Sequence, residues 1–346
     1  MNVSEKLCKW YEINKRILPW REELNPYHIW ISEIILQQTR VNQGMSYYLK
    51  FIEKFPSIED IATASVEEIL LVWQGLGYYT RARNLHKAAC IIAERYEGNF
   101  PEQYEVIRKL PGIGDYTAAA IASLAFNQPY PAIDGNVYRV LSRIFGIYTA
   151  INTSKGKRDF MNAAWEIMDY HDPGKHNQAM IELGALICLP RNPKCTECPI
   201  STSCFAFQKK KMDELPVKQK KLKITDRYFY YLVVRYNDKL FIKQRNQSDI
   251  WAKLYEFPMI EMSNSMGLAG LMRTENWKNI FRGSEPKIEK VSKEYLHKLS
   301  HQILHVWFIE IESPEVIQLN ALHVSENDLG QYPFPRLIER YLFDKE

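Results

Sequence analysis

Four cysteines, Cys188, Cys195, Cys198 and Cys204, fall in a seventeen-residue window with the spacing C-x6-C-x2-C-x5-C. Thiolate is the soft ligand that iron–sulfur clusters and zinc select, so a compact four-thiolate site implies one of the two. The six-residue first gap departs from the paired C-x2-C knuckles of most structural zinc sites, which favours a cubane cluster. Disulfides are disfavoured. The first eleven residues are polar and charged and lack the apolar segment of a secretory leader, so a reducing, cytoplasmic setting is expected. Cys8 and Cys90 stand apart and read as ordinary helix residues.

Two carboxylates invite chemistry of another kind. Glu33 has Ile29, Trp30 and Leu36 at i−4, i−3 and i+3 of a helical pattern. On such a face a carboxyl loses hydration, its pKa rises toward neutrality and it becomes a proton donor; a charge turned outward to solvent is the alternative. Asp134 precedes an amphipathic segment carrying Val137, Val140, Leu141 and Ile144, the position of an N-cap. A carboxylate there that also faces a cleft is expected to stay ionised beside the helix amides. Between helical patterns, Leu110-Pro111-Gly112-Ile113-Gly114 allows a tight hairpin whose amides can hold an anion such as a DNA phosphate, or serves as a plain interhelical turn.

The elements that must carry these groups follow from periodicity. Apolar residues recur at three- and four-residue intervals from Ser4 to about Gln208, predicting helices over Tyr27 to Arg40, Val66 to Trp73, Arg81 to Tyr96, Tyr116 to Phe126, Val137 to Gly146 and Asn177 to Cys188. Lys209, Lys210, Lys211, Lys218, Lys220, Lys221 and Lys223 then mark an exposed basic linker, interrupted by Pro216. Beyond Asp226, β-branched and aromatic runs predict strands over Tyr228 to Tyr236, Leu240 to Gln244 and Leu304 to Ile311, with turns at Asn237-Asp238, Gly267 and Gly283 and a last helix over Pro335 to Phe343. Helices followed by strands imply two domains, an all-α one over 1–207 and a smaller α+β one over 227–346, joined by a linker over 208–226. Hydrophobic content of 46%, charged content of 25% and a net charge of +4 describe a globular chain; the run Ala118 to Phe126 is too short to span a bilayer, which excludes a membrane-embedded protein.

The hairpin, the Asp134-Gly135-Asn136-Val137 segment and the cysteine loop together resemble the helix-hairpin-helix superfamily of DNA glycosylases, whose iron–sulfur branch includes endonuclease III and the MutY adenine glycosylases. Leu18-Pro19-Trp20-Arg21, the stretch Trp30 to Thr39, and Gly75-Leu76-Gly77-Tyr78-Tyr79 are similar to the adenine glycosylases in particular. The resemblance implies a helical glycosylase domain with one [4Fe-4S] cluster on Cys188, Cys195, Cys198 and Cys204. It implies removal of adenine mispaired with 8-oxoguanine or guanine in double-stranded DNA, by a monomer, as the first step of base-excision repair.

Adenine departs only once its ring is protonated, and the sugar left behind resembles an oxocarbenium ion, so the reaction needs an acid on the base side and negative charge on the sugar side. By resemblance Glu33 protonates the base and activates water, and Asp134 stabilises the cation, with transient covalent participation. Asn136 is its hydrogen-bonding partner. Bifunctional relatives carry a lysine where Tyr116 stands here; a tyrosine cannot form a Schiff base, so the activity is expected to be monofunctional. Arg21 is implied as a pocket donor and Glu182 as a pocket carboxylate. Leu36, Gln38, Thr39 and Tyr78 are implied at the DNA, with Tyr78 and Gln38 filling the gap left by a flipped base, and Gly112 and Gly114 at the phosphates. The C-terminal domain resembles the nudix-like module that inspects the opposite base. No nudix catalytic box of spaced glutamates follows Phe257-Pro258, which excludes triphosphate hydrolysis, and Leu299, Ser300 and His301 stand where the family has Phe-Ser-His.

Overall fold

The computed structural model describes residues 2–22, 24–219, 224–245, 249–282, 286–317 and 320–344. Lys220, Lys221 and Lys223 of the expected linker and the Gly283 turn lie outside them. The chain divides into two compact units: Met1–Thr63 with Asn84–Lys220, and Ala64–Arg83 with Lys221–Glu346. The first half is therefore not one contiguous domain, because the helix Val66–Val72 and the turn that follows it belong with the C-terminal unit.

The first unit is helical. Helix Pro26–Leu36 starts where Asn25 accepts a hydrogen bond from the Tyr27 amide at 2.9 Å and Pro26 presets the first turn. It buries Ile29, Trp30, Ile31, Ile34 and Ile35. It ends four residues earlier than the sequence predicts, because Gln38 takes a left-handed φ of 60° and turns the chain. Helix Asp115–Phe126 is almost entirely buried along its alanine-rich length, and Asn127, in the left-handed region at φ 51°, ends it. Helix Gly135–Phe145 is capped by Asp134 and closed by Gly146 at φ 67°. Its Val137, Val140, Leu141 and Ile144 join Leu183 and Ala179 of helix Pro173–Leu186 in one core. The segment after the cysteines is tied back onto this unit: Arg143 donates to the carbonyls of Met212 and Leu215, and the Ile151 amide donates to Val217 at 3.1 Å. Its described part is thus partly docked through its backbone, while Lys209, Lys210 and Lys218 are exposed.

In the second unit eight strands form one mixed sheet: β1 (Thr225–Tyr236), β2 (Lys239–Gln244), β3 (Tyr255–Glu256), β4 (Met259–Met262), β5 (Lys287–Val291), β6 (Tyr295–Lys298), β7 (Gln302–Glu312) and β8 (Leu322–Ser325). β1 and β7 pair in parallel, Thr225 opposite Gln302 through Arg235 opposite Glu312, and the other pairings are antiparallel. Alternation along β1 sends Phe229, Tyr231 and Val233 to a core with Leu337, Ile338 and Tyr341 of helix Arg336–Phe343. Tyr230, Leu232 and Val234 face Trp277 and Phe281 of helix Glu275–Phe281 on the other side. Asn237 and Asp238, both at positive φ, make the two-residue turn into β2. Among the described residues no helix is long and apolar enough to cross a membrane.

Candidate active site

In the first unit a cleft of about 1180 Å³ opens between three helix ends, and Glu33, Tyr116 and Asp134 share its wall. Glu33 comes from the last turn of helix Pro26–Leu36, Tyr116 from the first turn of helix Asp115–Phe126, and Asp134 from the N-cap of helix Gly135–Phe145. The Tyr116 hydroxyl donates to the Glu33 carboxyl. Burial pushes Glu33 up to about 7, the Tyr116 hydrogen bond works against that rise, and the Asp134 charge adds to it. Near neutral pH this carboxyl holds its proton about half the time, as a proton donor must.

Asp134 is held on both oxygens. Oδ1 accepts from the Val137 amide at 2.8 Å and Oδ2 from Asn136 Nδ2 at 2.7 Å. The helix amides do not dominate as the sequence suggested: burial outweighs them and the pKa lies above the ordinary aspartate value. Asn136 is oriented in turn by Arg139, whose Nη2 donates to its Oδ1 at 2.9 Å. The same guanidinium donates to the Gly184 carbonyl at 2.7 Å and to the Cys188 carbonyl at 2.6 Å. Gly184 is required by this packing, since a Cβ there would sit 2.6 Å from Asn136 Cβ.

Arg21, Leu36, Gln38, Thr39, Gly112, Gly114 and Asn136 also line the cleft. Glu182 does not. It lies fully buried behind the wall, where Oε1 accepts from Arg16 Nε at 2.7 Å and Oε2 from Arg21 Nη2 at 2.9 Å. Although burial alone would raise it, its two arginine partners hold the carboxyl down at about 2. Glu182 therefore aims two cations at the cleft instead of facing it. Arg16 was not anticipated, and neither was Gln178, which lines the cleft with a buried amide oxygen that has no hydrogen-bond partner. The sequence offers only an indirect signal: Gln178 and Glu182 are four residues apart and share a helix face with Ile181, another lining residue, a spacing that a solvent-facing glutamine shares.

The hairpin closes one edge. Gly112 has φ 79°, and a Cβ there would come within 2.8 Å of Asn84 Cβ, so both conformation and contact demand glycine. At Gly114, the N-cap of helix Asp115–Phe126, no described side chain makes a capping hydrogen bond, which leaves first-turn amides as donors for an anion.

The remaining expected DNA contacts belong to the second unit. Tyr78 is 54% exposed and sits at φ 50°. Leu299, Ser300 and His301 form the turn between β6 and β7, closed by the Leu299 amide donating to Gln302 at 2.8 Å. Ser300 and His301 are exposed, while Leu299 packs partly onto the core containing Phe229 and Phe308. The aliphatic chain in place of the family aromatic is thus part of the turn's support.

All six cysteines are free. Cys188 follows helix Pro173–Leu186, Cys195 and Cys198 bracket a single 3-10 turn, and Cys204 caps the short helix Phe205–Gln208. Among the described residues no three His, Cys, Asp or Glu side chains are gathered as a formed metal site. The donor set nevertheless suits a cationic centre. Cys195, Cys198 and Cys204 each resist ionisation through burial and through the charges of neighbouring cysteines, and burial pushes Cys198 up to about 11. Arg143, buried beside them, donates to Cys188 Sγ at 3.3 Å. Three soft donors that disfavour ionisation in this way are stable as thiolates only beside compensating positive charge.

A helical unit with a hairpin edge, an acid–tyrosine–aspartate cleft and a cysteine loop defines the class. Residues 31–168 match the HhH-GPD superfamily base excision DNA repair protein model, and residues 230–343 match the NUDIX domain model. Adenine DNA glycosylase of Buchnera aphidicola from Schizaphis graminum is 35% identical over 88% of this chain and 85% of its own. That from Acyrthosiphon pisum is 36% identical over 90% and 87%. Among solved structures, a thermostable thymine-DNA glycosylase is 30% identical with a TM-score of 0.55, covering 60% of this chain and 95% of its own. The chain belongs to the adenine DNA glycosylase family.

Proposed function

We propose that this protein is a monofunctional DNA glycosylase that hydrolyses the N-glycosidic bond of adenine opposite 8-oxoguanine or guanine. The observation that carries the reading is the shared cleft of Glu33, Tyr116 and Asp134, with a proton-holding acid at about 7 beside a second carboxyl tethered by Asn136 and an amide. Glu33 gives its proton to the extruded purine and, once ionised, takes one from the attacking water. Asp134 offsets the developing positive sugar. Arg16 and Arg21, pinned by Glu182, supply donors at the mouth.

The cysteine residues at 188, 195, 198 and 204 would hold a [4Fe-4S] cluster, which when bound cross-links the loop beside helix Gly135–Phe145. Duplex DNA is the partner: the open helix amides after Gly114 take a phosphate, Gln38 and Thr39 reach the duplex, Tyr78 wedges into the stack, and Ser300 and His301 read the opposite base. The domain assignment follows, with 1–207 chiefly catalytic and 227–346 reading the lesion, the segment 64–83 excepted. The test is base release from duplexes pairing adenine with 8-oxoguanine, guanine, cytosine or thymine, run beside Glu33→Gln. Free adenine and an alkali-sensitive site are expected only with the two purines. Strand scission before alkali, or equal excision opposite thymine, overturns the reading.

A further inference from the structure

We propose that Arg81 is a positioning residue that holds the Tyr78 ring upright and ready to stack, a role that rests on reading Tyr78 as the wedge. Tyr78 is the exposed tip of a turn built from left-handed residues, with Gly75 at φ 86°, Gly77 at φ 79° and Tyr78 itself at φ 50°. A non-glycine residue in that region persists only where its surroundings fix it. Two donors do so here: Arg81 Nη2 and Trp73 Nε1 each bond the Gly77 carbonyl at 3.1 Å.

The Arg81 guanidinium then serves both rings. Its carbon lies 5.3 Å from the centroid of Trp73, which is 1% exposed, and 5.5 Å from that of Tyr78. Arg81 is itself only 9% exposed, while Tyr78 stands 54% exposed. A planar cation anchored on a buried indole thus supports one side of a tyrosine whose remaining surface is open. The turn is fixed to its own unit by the Tyr79 hydroxyl on the Phe334 carbonyl at 3.3 Å and Arg83 Nη1 on the Ala252 carbonyl at 2.8 Å. A ring that must replace a base loses less freedom on binding when it is already held.

The test uses the full-length protein on a duplex carrying an uncleavable adenine analogue opposite 8-oxoguanine, with 2-aminopurine next to the 8-oxoguanine. Its fluorescence reports unstacking, and titration gives affinity for mispaired over matched duplex. Arg81→Met should abolish the fluorescence rise and lower that affinity ratio roughly 5- to 30-fold, the worth of one desolvated cation–π contact. Combined with Tyr78→Leu it should add nothing further, and Arg81→Lys, a cation without the planar face, should fall between. If Arg81→Met fails to fold by circular dichroism, Arg81→Lys carries the same comparison. Wild-type fluorescence in the arginine variants, or an equal further loss on top of Tyr78→Leu, overturns the proposal alone. A wild-type signal in Tyr78→Leu removes the wedge reading and the proposal with it.

Discussion

Replacing Glu33 by glutamine should make the helical unit more stable at alkaline pH while removing its activity. The native carboxyl is raised from 4.5 to about 7, chiefly by burial. A carboxyl with a folded-state pKa above its unfolded one contributes stability that is fully present below about pH 4.5 and is lost as pH rises through about 7. At about 1.4 kcal/mol per pH unit of displacement, the wild-type protein should lose on the order of 2–3 kcal/mol of stability between pH 5 and pH 8 from this group alone. Glu33→Gln cannot ionise, so the swing is absent from it. Equilibrium urea unfolding followed through the helical signal at pH 5, 6.5 and 8 gives the comparison, and the difference between variant and wild type should shift in favour of the variant by roughly 2–3 kcal/mol over that range. The gain accrues over the range where the unfolded carboxyl ionises and the buried native one keeps its proton, and it levels off above about pH 7, where the native group ionises as well. Parallel stability curves, or a shift of the opposite sign, would refute the argument that burial keeps this acid protonated.

Other outcomes follow from neighbouring geometry. Glu182→Ala leaves the Arg16 and Arg21 cations without their buried partner, and chemical denaturation should show about 3 kcal/mol of lost stability, with base release impaired because Arg21 is no longer aimed. With its pKa held at about 2, Glu182 contributes stability above about pH 4.5 that is lost only as pH falls through about 2, so this loss should be flat from pH 5 to pH 8. Gly112→Ala must adopt φ 79° and displace Asn84; binding to every duplex should weaken to a similar degree, mispaired or not, as expected for a phosphate contact, which a gel-shift titration measures. Anaerobically prepared protein should absorb broadly near ~400 nm, as iron–sulfur centres do, and Cys198→Ser should lose that band; a colourless protein with one zinc per chain would replace the cluster assignment.

Periodicity was enough to place the helices that carry Glu33, Tyr116 and Asp134, because each buries a continuous apolar face. Alternation in β1 was legible for the same reason, with odd and even residues entering two separate cores. The premature end of the helix at Leu36 was not legible, since nothing in Gln37-Gln38-Thr39 signals a left-handed turn. Nor was the membership of Ala64–Arg83, which is decided by contacts with chain more than 150 residues away, such as Arg83 with Ala252. The pairing of Glu182 with Arg16 and Arg21 was not legible, because these partners lie over 160 residues away in sequence. Gln178 escaped because an isolated glutamine on a helix resembles a solvent-facing residue until its oxygen is seen to be buried and unpartnered.

The most direct measurement is single-turnover release of adenine from a duplex bearing adenine opposite 8-oxoguanine, with wild-type protein beside Glu33→Gln. Free adenine from the wild type, an intact strand until alkali treatment, and a loss of roughly 10²–10⁴-fold in the variant, the usual worth of a positioned general acid, are predicted. Undiminished release by Glu33→Gln would contradict the claim that a buried acid and a tethered aspartate together expel the base.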